Sequence, residues 1–235
     1  MASVADDFFS LPIDLSLFQS HFPSDELPWK WVSNIWQALN AVDLASLPCP
    51  MPREKLPAGL LVDDDVFIHN TVVLPAFGTI HGPAYIGGGC ELRPGVFVRG
   101  NVIVGQRCVI GNSTELKNCM LLGNVQVPHF NYVGDSVLGC GAHFGAGVVT
   151  ANVRLDRGPV PATLSDGNRA DTTMMKLGAI VGEHVEVGCN AVLNPGCLLG
   201  KHSVVMPCVS FTGFLPPSSI ASASAAVTVR PRKKG

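Results

Sequence analysis

Residues 86–111 read IGGGCELRPGVFVRGNVIVGQRCVIG. Aliphatic side chains stand at Ile86, Leu92, Val98, Val104 and Ile110, one every six residues. The series runs back through Ile80, Leu74 and Ile68 and forward to Leu116. A five-residue step then leads to Leu121, Val127 and Val133, and another to Leu138, Phe144 and Thr150. It resumes at Val181, Val187, Leu193, Leu199, Val205 and Phe211. Two residues before these stops stand small side chains, among them Ala84, Cys90, Val96, Cys108, Thr114, Cys119, Ala142, Cys197 and Ser203. Asn131 is the one larger polar member of that set. Glycine often follows the stop, as at Gly87, Gly105 and Gly111, and is read as easing the turn conformation.

A helix repeats every 3.6 residues and a simple strand every two, so neither accounts for a period of six. Short strands joined by tight turns do. Each sends one aliphatic and one small side chain inward, three strands close a triangular coil, and stacked coils bury a continuous core. The expected fold is an all-β repeat, a left-handed parallel β-helix of hexapeptide repeats with a short α-helical N-terminal segment. The stops predict about five coils up to residue 150 and about two after it.

The regions outside the hexads set the expected boundaries. Residues 1–47 carry a helical pattern with Trp29, Val32, Trp36 and Leu39 on one face, and Pro28 suits a first helical turn. Residues 48–63 are proline-rich and read as a connector. The β-helix domain is expected over 64–215, interrupted by an inserted loop at 151–175 that abandons the hexad. A basic tail, 216–235, contains RPRKK.

Composition narrows the function. Of 235 residues 14% are charged, with a net charge of -2, which speaks against a nucleic-acid or anionic-membrane surface. Apolar runs are broken well short of a membrane span. The start, MASVADDFF, is acidic and unlike a signal peptide, so a cytoplasmic location is expected. Eight cysteines without a CxxC pair, several at small inward positions, read as reduced thiols.

Within the repeat, VPHFNYVGDS at 127–136 places proton-handling groups between the inward residues Val127 and Val133. His129 and Tyr132 therefore lie on a rib. Neutral imidazole is a competent base near neutral pH. His21, His69, His81, His184 and His202 read as solvated surface histidines. Counting sides of the triangle brings Arg93 and His129 toward one corner and Lys117 and Asn152 toward the next. Two neighbouring stacks would converge all four, which predicts a homotrimer with sites between subunits.

ELRPG at 91–95, GNSTELKN at 111–118, VPHFNYVGD at 127–135 and FGAGVVTAN at 144–152 occur in that order. Together they resemble the hexapeptide-repeat acyltransferases, in particular the acetyltransferase half of the bifunctional glucosamine-1-phosphate acetyltransferase/N-acetylglucosamine-1-phosphate uridyltransferase family. The likeness covers roughly residues 60–215. It implies an acetyl-CoA-dependent N-acetyltransferase acting on glucosamine 1-phosphate or a related amino-sugar phosphate, in nucleotide-sugar synthesis. It further implies His129 as general base, Tyr132 and Asn152 as positioning groups, and Arg93 and Lys117 as holders of the sugar phosphate. His143 stands where the family has a sugar-contacting asparagine. Cys189 and Lys176 fall by the coenzyme groove, and Arg230 and Arg232 of the tail would reach coenzyme phosphates. No metal is implied. The family's nucleotidyltransferase domain has no counterpart in the sequence, and uridyl transfer with its Mg²⁺ is not expected of this chain. Two other readings compete. A hexapeptide carbonic anhydrase would need a close histidine pair on one rib, which His129 lacks. A non-catalytic scaffold could instead partner a separate nucleotidyltransferase.

Overall fold

The structure, a computed structural model, describes residues 4–224. Its body is a left-handed parallel β-helix of about 9 turns. The chain visits three faces in order. The open face holds Gly59–Val62, Phe77–His81, Val96–Arg99, the starts of Glu115–Leu121 and Tyr132–Leu138, then Val149–Thr150, Val192–Leu193 and Ser210–Phe211. The covered face holds Val66–Ile68, Ala84–Ile86, Val102–Val104, the ends of the same two long strands, then Ala179–Val181, Cys197–Leu199 and Phe214–Leu215. The third face runs from Glu91–Leu92 to Ile220–Ala221. Neighbours pair in parallel at one-coil steps: Phe97 with Glu115 and Glu115 with Tyr132, 18 and 17 residues apart.

The inward set is the one the hexads predict. Ile80, Ile86, Val98, Val104, Ile110, Leu116, Val127 and Val133 are fully buried, with Cys90, Cys108, Thr114 and Ala142 between them. The inward hydroxyl of Thr114 donates to Val127 O at 3.0 Å and that of Ser136 to Gly134 O at 2.7 Å, whereas the buried Ser203 hydroxyl has no partner among the described residues. All eight cysteines are free thiols. Burial raises the thiols of Cys108, Cys119 and Cys197, the last to about 12, so at neutral pH Cys197 packs as a small apolar group.

Several boundaries differ from expectation. The β-helix begins with Gly59–Val62, inside the expected connector 48–63, and ends with Ile220–Ala221, inside the expected tail 216–235. Leu60 and Val62 continue the inward pair one hexad below Ile68. At the other end Leu215 follows Phe211 after only four residues, which hid the last coil. The glycines also work differently. Left-handed φ falls two or three residues beyond the stop, on residues such as Arg107 (57°), Asn124 (52°), Phe130 (53°) and Asp135 (48°). Gly105 and Gly111 instead permit close approach of coils, because a Cβ there would sit 1.5 Å from the carbonyl oxygens of Leu122 and Pro128.

A second core lies outside the coil. On the covered face the outward residues are also apolar: Phe67, Tyr85, Ile103, Met120, Val137, Ile180 and Leu198 are all buried. The N-terminal segment covers them with Phe8, Phe9, Leu15 and Phe18 and with the helix Lys30–Ala41. That helix buries Trp31, Val32, Ile35, Ala38 and Leu39, whereas Trp36 is 54% exposed. The expected face is corrected accordingly. Trp36 lies about 100° round the helix from Ile35, at the centre of the buried stripe, and Trp29 packs just ahead of the first turn. The insertion joins the same core. It leaves the coil after Thr150, forms an antiparallel hairpin of Pro161–Thr163 with Arg169–Asp171, and re-enters at Ala179. Val160, Ala162 and Leu177 pack onto the covered face. Among the described residues, no helix is long and apolar enough to cross a membrane.

Candidate active site

Two corners flank the open-face segment Tyr132–Gly134. The first joins the third face to the open face. Its rib is held by a chain of backbone hydrogen bonds in which Phe130, Gly147, Asn190 and Cys208 donate in turn to the carbonyls of Asn112, His129, Ala146 and Cys189. Asn112, His129, Ala146 and Cys189 thus stack on successive coils. Asn131 fixes the turn from inside. It is 2% exposed, its Oδ1 accepts the His129 N–H at 3.1 Å, and its Nδ2 donates to Gly145 O at 2.8 Å. With the backbone pinned, the His129 ring is exposed and, among the described residues, makes no hydrogen bond. Phe130, 61% exposed, stands beside it with ring centroids 6.5 Å apart. Arg93 lies near the same corner two coils below, about 10 Å away by strand spacing. Its Nε donates to Glu91 at 2.8 Å, which leaves the terminal nitrogens of the guanidinium free of hydrogen bonds to described residues.

The second corner joins the open face to the covered face. Here both five-residue steps fall, and Asn118 and Asp135 turn the corner with φ of 46° and 48°. Asp135 is 3% exposed and accepts four hydrogen bonds. Lys117 Nζ lies 2.9 Å from each oxygen, Asn118 Nδ2 is 2.8 Å from Oδ1, and Asn152 Nδ2 donates to Oδ2. The Asn152 amide also donates to the Tyr132 hydroxyl at 3.2 Å. Burial raises the Tyr132 phenol above its ordinary value; the Asn152 bond opposes this and the Asp135 charge adds to it. Tyr132 therefore keeps its proton at neutral pH.

The structure brings together Tyr132, Asn152 and Lys117, and adds Asp135 and Asn118, which sequence reading missed. The missing signal is spacing. Asn118, Asp135 and Asn152 are 17 residues apart, one short coil each. His129 stands across the open face, about 10 Å from this cluster. The other candidates are placed as follows. Lys117, expected to help hold the sugar phosphate, has its ammonium paired with the buried Asp135 carboxylate. His143 lies on the third face, one coil above Gln126, and its Nδ1 is 2.7 Å from Glu186 Oε2, so it is held away from the His129 ring. Cys189 and Lys176 occupy different corners: Cys189 is on the His129 rib, whereas Lys176 precedes Leu177, whose N–H donates to Asn152 O at 3.0 Å. Arg230 and Arg232 lie outside the described residues.

No second histidine stacks on the His129 rib, where Asn112 and Ala146 are its neighbours. Among the described residues no group of three or more His, Cys, Asp or Glu side chains gathers as a metal site. Two hollows among the described residues lie elsewhere. One of about 610 Å³ is lined by Leu39, Met51, Arg53 and Phe67, and another of about 1020 Å³ by the N-terminal segment. Neither touches His129, Tyr132 or Asn152.

Comparison with known proteins follows the same lines. Residues 80–156 match the GMPPB C-terminal domain. A bifunctional sugar-1-phosphate nucleotidylyltransferase/acetyltransferase of Sulfurisphaera tokodaii is 33% identical over 181 residues, covering 77% of this chain and 43% of that protein. The bifunctional protein GlmU of Methanococcus vannielii is 34% identical over 114 residues, 48% of this chain and 27% of its own. The chain thus spans less than half the length of these relatives. Among solved structures, the polysialic acid O-acetyltransferase OatWY superposes with a TM-score of 0.37 at 18% identity, over 77% of this chain and 91% of that one. Through its β-helix and its sugar-1-phosphate relatives, the chain is similar to the hexapeptide-repeat acyltransferases.

Proposed function

We propose that this protein is an acetyl-CoA-dependent N-acetyltransferase whose acceptor is an amino-sugar phosphate, glucosamine 1-phosphate first. The reading rests on one observation: His129 is a solvent-facing imidazole without a hydrogen-bond partner among the described residues, on a turn that a buried asparagine holds fixed. A merely structural histidine has no need of such a mount. Its neighbours suit a base that must meet two substrates.

The chemistry assigns each group a task. An ammonium has no lone pair, so the acceptor must be deprotonated before it attacks a thioester. His129 first passes one proton of the ammonium to solvent; as the C–N bond then forms and the C–S bond breaks, it takes a second proton from the attacking nitrogen and gives it to the departing thiolate. Tyr132 and Asn152 position the amine. Arg93 keeps donors for the phosphate, a planar fork suited to that anion. Lys117 acts from behind Asp135 and sets local charge. Cys189 and the small Ala146 above His129 leave the rib low enough for an extended coenzyme, with Lys176 and the tail residues Arg230 and Arg232 as further contacts. The distance between the two corners favours a homotrimer in which His129 of one stack faces the Asn152 corner of the next. A cytoplasmic location, and a separate nucleotidyltransferase acting on the product, belong to the same proposal.

Thiol release from acetyl-CoA, measured over a panel of amino-sugar phosphates, tests this reading. Turnover with one acceptor, lowered about 10²–10⁴-fold by His129→Ala, is expected. Absence of turnover with every amino sugar overturns it.

A further inference from the structure

The acid at the second corner has no place in the roles assigned so far. Asp135 is a buried carboxylate with three donor groups around it, Lys117, Asn118 and Asn152. A lysine partner alone would satisfy its charge. The extra contact to Asn152 has a chemical consequence. A carboxylate only accepts hydrogen bonds, so the Asn152 amide must turn its nitrogen toward Asp135. One N–H is then bound by Asp135, and the other is donated to the Tyr132 oxygen. Two groups remain directed outward: the Asn152 Oδ1 acceptor and the Tyr132 O–H donor. Neither is engaged by another described residue.

We infer that Asp135 is the positioning residue of this site. It locks the Asn152 amide so that Asn152 presents a hydrogen-bond acceptor and Tyr132 a donor, side by side, to the acceptor substrate. The inference rests on the acetyltransferase reading above for its substrate and on geometry for its mechanism. An amine with a neighbouring hydroxyl or phosphate oxygen fits that pair, since its N–H meets Asn152 Oδ1 while the oxygen takes the Tyr132 proton. Without the lock, the amide can rotate by half a turn and present N–H groups to the amine instead, and catalysis loses its alignment.

The test compares Asp135→Asn with the double variant Asp135→Asn/Lys117→Met. The single variant leaves a lysine charge unpaired; the double removes it. Acetyl transfer to the best acceptor is expected to fall about 100-fold in kcat/KM in both, mainly in kcat, consistent with a 1 Å class of misplacement. Recovery of the double variant to near wild-type rate would overturn the proposal, because Asp135 would then serve only to neutralise Lys117. A single variant with unchanged rate would overturn it too. A second readout is independent of turnover. Protein labelled with ¹⁵N at asparagine, with the Asn152 side-chain signals assigned by loss in Asn152→Ser, is expected to show slow amide-proton exchange that becomes fast in both variants. If wild type acetylates nothing yet this exchange pattern holds, the substrate reading fails and the lock stands. If Asn152 exchanges freely in wild type, the lock fails whatever the activity.

Discussion

The two corners that flank Tyr132–Gly134 are built from similar residue types and use them in opposite ways. At the His129 corner the polar group inside, Asn131, is satisfied by backbone, and the titratable group outside is left without a partner. At the Asp135 corner the polar groups satisfy one another: carboxylate, ammonium and two amides close on themselves. One corner exposes chemistry and the other fixes direction. Buried polar groups are costly unless fully paired, so the closed corner must contribute to stability and the open one need not.

Substitutions sharpen that contrast in a graded order. Asp135→Ala strands the Lys117 ammonium, three-quarters buried, and is expected to cost about 3–5 kcal/mol, read from the urea midpoint. Asn131→Ala leaves two backbone groups unpaired inside the coil and should cost about 2 kcal/mol in the same assay, with transfer reduced as the His129 turn loosens. Tyr132→Phe deletes one hydrogen bond from Asn152 and should cost about 1 kcal/mol. His129→Ala should change stability by no more than about 0.5 kcal/mol, because the side chain makes no hydrogen bond and little burial is lost. The same variant should lower acetyl transfer by about 10²–10⁴-fold. A His129→Ala protein destabilised as much as Asp135→Ala would erase the distinction between the corners.

The sequence made the coil legible because the inward pair repeats every six residues and buries almost without exception, from Ile80 to Val205. The second core was not legible for a specific reason. Its members, Phe67, Tyr85, Ile103 and Met120, recur once per coil rather than once per strand, and each sits between two inward residues. The triplets VFI, AYI, VIV and CML are apolar throughout, but so are VFV at 96–98, CVI at 108–110 and AVL at 191–193 on the other faces, so the pattern alone does not single out the covered one. The N-terminal helix was foreseen, and of its expected face Val32 and Leu39 are buried while Trp36 is exposed and Ile35 takes its place. At the site, His129, Tyr132 and Asn152 carry recognisable motifs. Asp135 sits in the motif VPHFNYVGD as well, yet its meaning appears only when Asn118 and Asn152 are stacked on it one coil below and above. The pairing of His143 with Glu186 is hidden by the insertion, which puts 43 residues between partners that are one coil apart.

The division of labour between the corners has one direct test, the pH profile of kcat/KM for acetyl transfer. A base that must be neutral to act gives an acid limb in that profile. The account expects the limb in wild type, the same limb with a lower plateau in Tyr132→Phe, and its disappearance from the residual activity of His129→Ala. An acid limb that survives unchanged in His129→Ala would place the base elsewhere and contradict the assignment of proton transfer to the open corner.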